Sequence, residues 1–255
     1  MPAPLLIVTD RHSANRPLVE TVRAVLDGGA RWIWFRDKDL EPEARRDLAA
    51  QLLLIVREAG GRLTIGGDIG LAAAIGADGV HLGGSTFANS VIASEAKQSR
   101  EPQRSTEAVG LLRFADNLGV VASETMALHT TIAAARQNLR PGALVGLSAH
   151  NIADVRAAAQ AGADYVTLSP IFATASKPGY GPSLGLDALR EGAAIGLPIV
   201  ALGGIGPDTA RLCCEAGAAG IAIMGGLMRA DDPAAETRRL VAAASGLSST
   251  PTLSS

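Results

Sequence analysis

Four times along the 255-residue chain, a Gly-Ala pair ends an Ala/Leu-rich stretch of helical period and runs straight into a short apolar segment. The copies are Gly29-Ala30 before Arg31-Trp32-Ile33, Gly76-Ala77 before Asp78-Gly79-Val80, Gly162-Ala163 before Asp164-Tyr165-Val166, and Gly217-Ala218 before Ala219-Gly220-Ile221. A glycine just past a helix closes it in a left-handed turn, and a short apolar run bounded by turn signals fits a buried strand. Each copy therefore marks a helix, a tight corner and a strand, and repetition of that unit points to a βα array. The repeat glycines fall 47, 86 and 55 residues apart. With two βα units occupying about 50 residues, the middle interval carries roughly 35 too many, so a segment is inserted there.

Strand candidates are Leu5–Thr9, Trp32–Arg36, Leu63–Gly66, Gly79–Leu82, Leu144–Ser148, Tyr165–Leu168, Ile199–Leu202 and Gly220–Ile223. Helical patterns lie between them at Leu18–Asp27, Glu41–Glu58, Thr131–Asn138, Ile152–Ala161, Leu186–Ala194, Pro207–Glu215 and Pro233–Ala244, several opening with Pro in the first turn. Eight strands alternating with helices predict an α/β fold, a (β/α)8 TIM barrel with an insertion after strand four. A doubly wound sheet is the alternative, but no GxGxxG opens the first helix. The composition agrees: 47% hydrophobic residues with only 3% aromatic suits small aliphatic packing between helices and a parallel sheet.

One domain is expected over residues 1–245, with 87–130 containing the inserted segment and 246–255 a disordered tail. The insertion opens with the polar stretch from Asn89 to Ser105, unlike the Ala/Gly-rich barrel, and resembles the translation of a short repetitive element. It reads as a weakly folded passenger, with a lid over the barrel mouth as the functional alternative. Net charge is −2 and no Lys/Arg block is long enough to follow a phosphate backbone, which argues against nucleic acid and for a small ligand. No run of apolar residues reaches membrane-spanning length, and the first nine residues lack a basic region, so no membrane and a cytoplasmic location are expected. The only cysteines, Cys213 and Cys214, are adjacent and cannot staple distant segments.

A (β/α)8 barrel builds its site where the strands stop at their C-terminal ends. Strand two stops at Trp34-Phe35-Arg36-Asp37-Lys38, and side-chain alternation puts Trp34, Arg36 and Lys38 on one face. Two cations at a strand end suit a phosphate oxyanion, whereas a surface ion pair with Asp37 or Asp39 is the plainer reading. Strand four carries His81, strand five ends Ser148-Ala149-His150, and strand six runs into a hydroxyl-rich loop with Thr174, Ser176 and Lys177. Gly203-Gly204 follow strand seven and Met224-Gly225-Gly226 follow strand eight. There, backbone without Cβ atoms lets N–H groups close round a phosphate, in the loops where this fold commonly binds one.

In these segments the chain resembles the thiamine-phosphate synthase/TenI superfamily. The resemblance runs through Leu6 to Asp10, Phe35 to Asp39, Gly76 to Gly83, Val145 to His150, Gly162 to Val166, Ser169 to Lys177 and Ala201 to Ile205. It implies the joining of a hydroxymethylpyrimidine diphosphate to a thiazole phosphate, with release of diphosphate and with Mg²⁺. By that analogy Arg36, Lys38, His81, Ser148 and Lys177 hold the diphosphate. Thr174 and Ser176 contact the thiazole phosphate, and the Gly203-Gly204, Met224 and Gly225 backbones complete its cradle.

The chain also departs from the family. Gly66-Gly67 stand where the family has Asn-Asp, Thr86 replaces the aspartate expected after the strand-four histidine, and Trp34 replaces a glutamine that reads the pyrimidine. Asp68 is the substitute candidate for a Mg²⁺ ligand. Three functions follow as expectations. One is the synthase; a second is a metal-independent TenI-like tautomerase using His150 or His81 as acid and base. The third is a non-catalytic thiazole-phosphate binder. Self-association as a homo-oligomer is expected by analogy alone.

Overall fold

The computed structural model describes residues 1–84, 126–173 and 183–245. Its eight strands are β1 (Leu5–Val8), β2 (Trp32–Phe35), β3 (Arg62–Gly66), β4 (Gly79–Leu82), β5 (Leu144–Ala149), β6 (Tyr165–Leu168), β7 (Ile199–Leu202) and β8 (Gly220–Ile223). They close into a barrel in chain order, each parallel to its neighbours, with Leu5, Leu6 and Ile7 of β1 in register with Ile221, Ala222 and Ile223 of β8. The helices are α1 (Leu18–Asp27), α2 (Pro42–Glu58), α3 (Ile69–Ile75), α4 (126–138), α5 (Ile152–Gln160), α6 (Gly185–Ala193), α7 (Pro207–Glu215), α8 (Gly225–Met228) and α9 (Pro233–Ser245). This is the (β/α)8 barrel that the alternation predicts, and closure removes the doubly wound alternative. Among the described residues no helix is long and apolar enough to cross a membrane.

The strands lie within one or two residues of their sequence-predicted bounds. Two helices are additions: α3 is a seven-residue Ala/Ile/Gly segment without a polar face to show a period, and α8 is four residues opening on two glycines. Helix α4 extends at least to residue 126, inside the stretch read as inserted. The rest of that segment up to residue 125, and the tail from 246, lie outside the described residues.

The four repeated corners have a common physical cause. Gly29, Gly76, Gly162 and Gly217 sit at φ of 101°, 65°, 82° and 99°, where a Cβ is strained. In two copies the next polar residue staples the lower rim. Asp78 Oδ2 accepts the Leu63 N–H at 2.8 Å, and Asp164 Oδ2 accepts the Val145 N–H at 2.6 Å, each tying its strand to the preceding one. Arg140 and Arg136 balance these carboxylates. The Gly-Ala-Asp phrase is thus a structural device at the face opposite the site.

Alternation along the strands divides the core. Leu5, Ile7, Ile33, Phe35, Leu63 and Ile65 face the helices, whereas Leu6, Val8, Trp32, Trp34, Tyr165, Val200 and Ala222 fill the barrel. Trp32 and Tyr165 meet edge to face at 4.8 Å, and the Trp32 indole N–H donates to Thr64 Oγ1 at 2.9 Å. Gly146 makes room for that packing, since a Cβ there would lie 2.1 Å from the Tyr165 ring.

Candidate active site

The strand ends surround a cavity of about 270 Å³, lined by Val8, Trp34 and Arg36 on one side and by Leu202, Gly203 and Gly204 on the other. His150, Ala173, Met224, Gly225 and Arg229 are also in its wall. A concave, partly apolar cavity with a few polar groups suits small phosphorylated ligands. Seven of the sequence-predicted residues meet here: Trp34, Arg36, His150, Gly203, Gly204, Met224 and Gly225. Thr174, Ser176 and Lys177 lie outside the described residues, although Ala173, just before them, lines the cavity.

The glycine cradle is closely fitted. Gly204, at φ 65°, would bring a Cβ within 2.4 Å of the Ala173 carbonyl oxygen, and at Gly203 a Cβ would lie 2.9 Å from Pro170 Cα. The Phe172 N–H donates to Gly203 O at 3.0 Å and the Ile171 N–H to Leu202 O at 2.9 Å. The loop after β6 is therefore fastened onto the loop after β7, and only glycine fits between them. A Cβ on Gly225 would lie 2.6 Å from an Arg229 guanidinium nitrogen, so that cation lies against the bare backbone. Arg229 makes no side-chain ion pair among the described residues. Sequence reading misses it, because an arginine between a short apolar run and Asp231-Asp232 reads as a solvated charge.

At the end of β2 the plain ion-pair reading fails. Asp37 accepts the Thr9 hydroxyl at 2.5 Å and the Arg11 N–H at 2.8 Å, which fixes the end of β1 to the end of β2. Asp39 takes Arg11 at 2.6 Å and His12 at 2.7 Å. Arg36 and Lys38 therefore have no carboxylate partner among the described residues and stay available to an anion. Partial burial, with Arg36 and Arg45 close by, holds the Lys38 ammonium below the usual lysine pKa.

His81 is buried at the end of β4. Its ring sits under Trp34 with centroids 3.9 Å apart, Nδ1 pairs with the Tyr165 hydroxyl at 2.9 Å, and Nε2 with Ser148 Oγ at 3.0 Å. Burial, then the nearby Lys38 charge, pushes its pKa down to about 3, so the ring is neutral at physiological pH. Buried His81 and half-buried Ser148 thus form a hydrogen-bonded pair, and neither is part of the cavity lining. Trp34, 6% exposed, covers His81, and its own indole N–H has no hydrogen-bond partner among the described residues. His150 is placed differently, in the cavity wall with Nδ1 3.0 Å from the Ser169 carbonyl oxygen. A carbonyl only accepts, so Nδ1 carries the proton.

Asp68, the candidate metal ligand, is committed elsewhere. Its Oδ1 caps α3 by accepting the Leu71 N–H at 2.8 Å, and its Oδ2 receives an Arg45 N–H at 2.7 Å. Arg45 also donates to the Asp37 carbonyl at 3.0 Å and the Gly66 carbonyl at 2.9 Å, clamping β2, β3 and α3 together. Sequence reading places Arg45 only on an amphipathic helix and gives no sign of this role. Among the described residues no three His, Cys, Asp or Glu side chains converge on a metal position. A hard divalent ion needs anionic oxygens with lone pairs to spare, and the donors here do not fit one.

Comparison with known proteins agrees with this geometry. The family described as thiamine monophosphate synthase matches residues 5–104 and 127–227. A thiamine-phosphate synthase of Natronomonas pharaonis is 34% identical over 245 residues, covering 95% of this chain and 94% of the relative. The thiamine biosynthesis bifunctional protein ThiM/ThiE of Symbiobacterium thermophilum is 34% identical over 223 residues; the match takes in 87% of this chain but only 38% of that longer protein. The structure of a thiamine phosphate pyrophosphorylase from Pyrococcus furiosus superposes with a TM-score of 0.70 at 25% identity, covering 96% of both chains. With a closed barrel, a glycine cradle after β7 and β8, and a family match over most of its length, this chain belongs to the thiamine monophosphate synthase family.

Proposed function

We infer that this chain is a transferase of the thiamine-phosphate synthase type, joining a hydroxymethylpyrimidine diphosphate to a thiazole phosphate. The observation that carries the reading is one cavity bounded by a glycine cradle with Arg229 on one side and by Arg36 on the other. A phosphate in the cradle would take backbone N–H groups and the Arg229 guanidinium, a pairing suited to a doubly charged oxyanion. Two strands away, Arg36 and Lys38 face the second anion. Thr174, Ser176 and Lys177 keep the roles that the resemblance gives them.

The chemistry asks little covalent help from the protein. The bond between the pyrimidinyl methylene carbon and the diphosphate oxygen breaks, its electron pair leaving on the diphosphate. The thiazole nitrogen lone pair then forms the new C–N bond. Cations fixed beside the leaving oxygens stabilise the charge as it develops. His81 stays neutral and holds Ser148 in position. The Mg²⁺ that the resemblance implies finds no carboxylate set among the described residues, so no step is derived through it.

One observation favours a second reading: His150 lines the cavity, where an imidazole can move a proton on the thiazole. A tautomerase of that kind would interconvert thiazole isomers and lose the activity in His150→Ala. The substrate reading itself is tested by calorimetric titration with thiazole phosphate. One saturable site per chain, competed by inorganic phosphate, is the expected result; no binding heat would contradict the reading.

A further inference from the structure

Gly66 and Gly67 are where this chain loses the side chains that its family resemblance leads one to expect, and both positions are filled by other residues. A Cβ on Gly66 would lie 2.9 Å from Trp34 Nε1 and 3.0 Å from the Phe35 carbonyl oxygen. A Cβ on Gly67 would lie 2.5 Å from Lys38 Nζ and 2.9 Å from Lys38 Cε, with the backbone held at φ 68° by a Gly67 N–H bond to His81 O at 2.8 Å. The Trp34 indole and the Lys38 ammonium thus stand over two adjacent bare positions at the end of β3. At Gly66 a side chain would meet the indole and backbone together, whereas at Gly67 it would make the tip of Lys38 swing aside. The two glycines, the tryptophan and the lysine placement form one coupled arrangement rather than separate losses.

We propose that the Lys38 ammonium, seated over Gly67, takes the place of the divalent cation and makes diphosphate binding by this chain independent of metal. The inference rests on the synthase reading and names which group neutralises its leaving diphosphate. When the C–O bond breaks, the diphosphate gains one negative charge, and Lys38 with Arg36 supplies the positive charge that stabilises it. Two carboxylates lie at this corner among the described residues: Asp37 is taken by Thr9 and the Arg11 N–H, and Asp68 by Arg45 and the α3 N-terminus, so neither forms an ion pair with Lys38. Set against Asp37 and Asp68, the three cations Arg36, Arg45 and Lys38 still leave the corner with an excess of positive charge, which favours an anion over a divalent cation.

The test uses the full chain with inorganic diphosphate as probe, titrated calorimetrically in excess EDTA and again with Mg²⁺. Binding of Mn²⁺ is followed by electron paramagnetic resonance. The expected results are equal diphosphate affinity in both buffers, no stoichiometric Mn²⁺ site, and roughly ten-fold or greater weakening in Lys38→Met. Gly67→Ala should weaken binding similarly by displacing the ammonium, and the double variant should lose little more than either single one. Thermal melts verify that each variant folds, and Lys38→Met remains informative if Gly67→Ala does not. Diphosphate binding that requires Mg²⁺, a stoichiometric Mn²⁺ site, or no diphosphate binding at all would overturn the proposal. Metal-free diphosphate binding without thiamine phosphate formation would leave Lys38's role standing and fault the synthase reading instead.

Discussion

Arg229 is the residue whose removal reads the cradle most directly. Its guanidinium lies on Gly225 in the cavity wall and forms no ion pair among the described residues, which is why the proposed function assigns it to the ligand rather than to the fold. Arg229→Ala should weaken thiazole phosphate binding about ten-fold or more, the scale of a lost charge-assisted pair, with the melting temperature unchanged. Equal affinity in the calorimeter would remove Arg229 from the site. His81 makes the opposite case, a residue serving stability and positioning. Its folded-state pKa of about 3 lies below the 6.5 of a free imidazole, so below pH 6.5 the unfolded chain binds a proton that the folded chain refuses. Its contribution is whole above pH 6.5 and is lost by up to about 1.4 kcal/mol per pH unit as pH falls toward 3. Melts between pH 7.5 and 5.5 should show this slope in the parent and a flatter one in His81→Asn; equal slopes would contradict the buried neutral ring. The sequence shows His81 at a strand end but not that both its nitrogens are taken. That depends on Tyr165 and Ser148, which lie 84 and 67 residues away.

At the scale of elements, the loops after β6 and β7 act as one part. Gly204 is squeezed against the Ala173 carbonyl at a positive φ, so Gly204→Ala should push the two loops apart. Thiazole phosphate binding should fall more than ten-fold. The same change at Gly60, also at positive φ but with open space round it, should cost stability alone, leaving binding untouched. Equal binding losses at both positions would mean backbone strain, not cradle fit, is at work. The strands and most helices were legible because buried apolar runs and glycine corners are local signals. Helix α3 was not, since its cap Asp68 pairs with an arginine 23 residues earlier and its apolar residues show no polar face. The commitment of Asp68 to that cap and to Arg45 also could not be read locally.

For the whole molecule, barrel closure separates stability from chemistry. The lower rim carries the Asp78 and Asp164 staples, and the upper rim carries the cavity, so the repeated Gly-Ala-Asp phrase and the Gly-Gly pairs serve opposite ends of one structure. The eight-strand order follows from the sequence repeat. Which strand ends share one cavity follows only from closure, which brings β1 and β8 together and so puts Arg36 and Arg229 in the wall of one cavity. The central claim is that this cavity joins the two substrates, and the most direct measurement incubates the full chain with thiazole phosphate and hydroxymethylpyrimidine diphosphate, with products identified by mass spectrometry. The account predicts thiamine phosphate and diphosphate in equal amounts, with formation lost in Arg36→Ala. Recovery of both substrates unchanged, by a chain that binds thiazole phosphate normally, would contradict it.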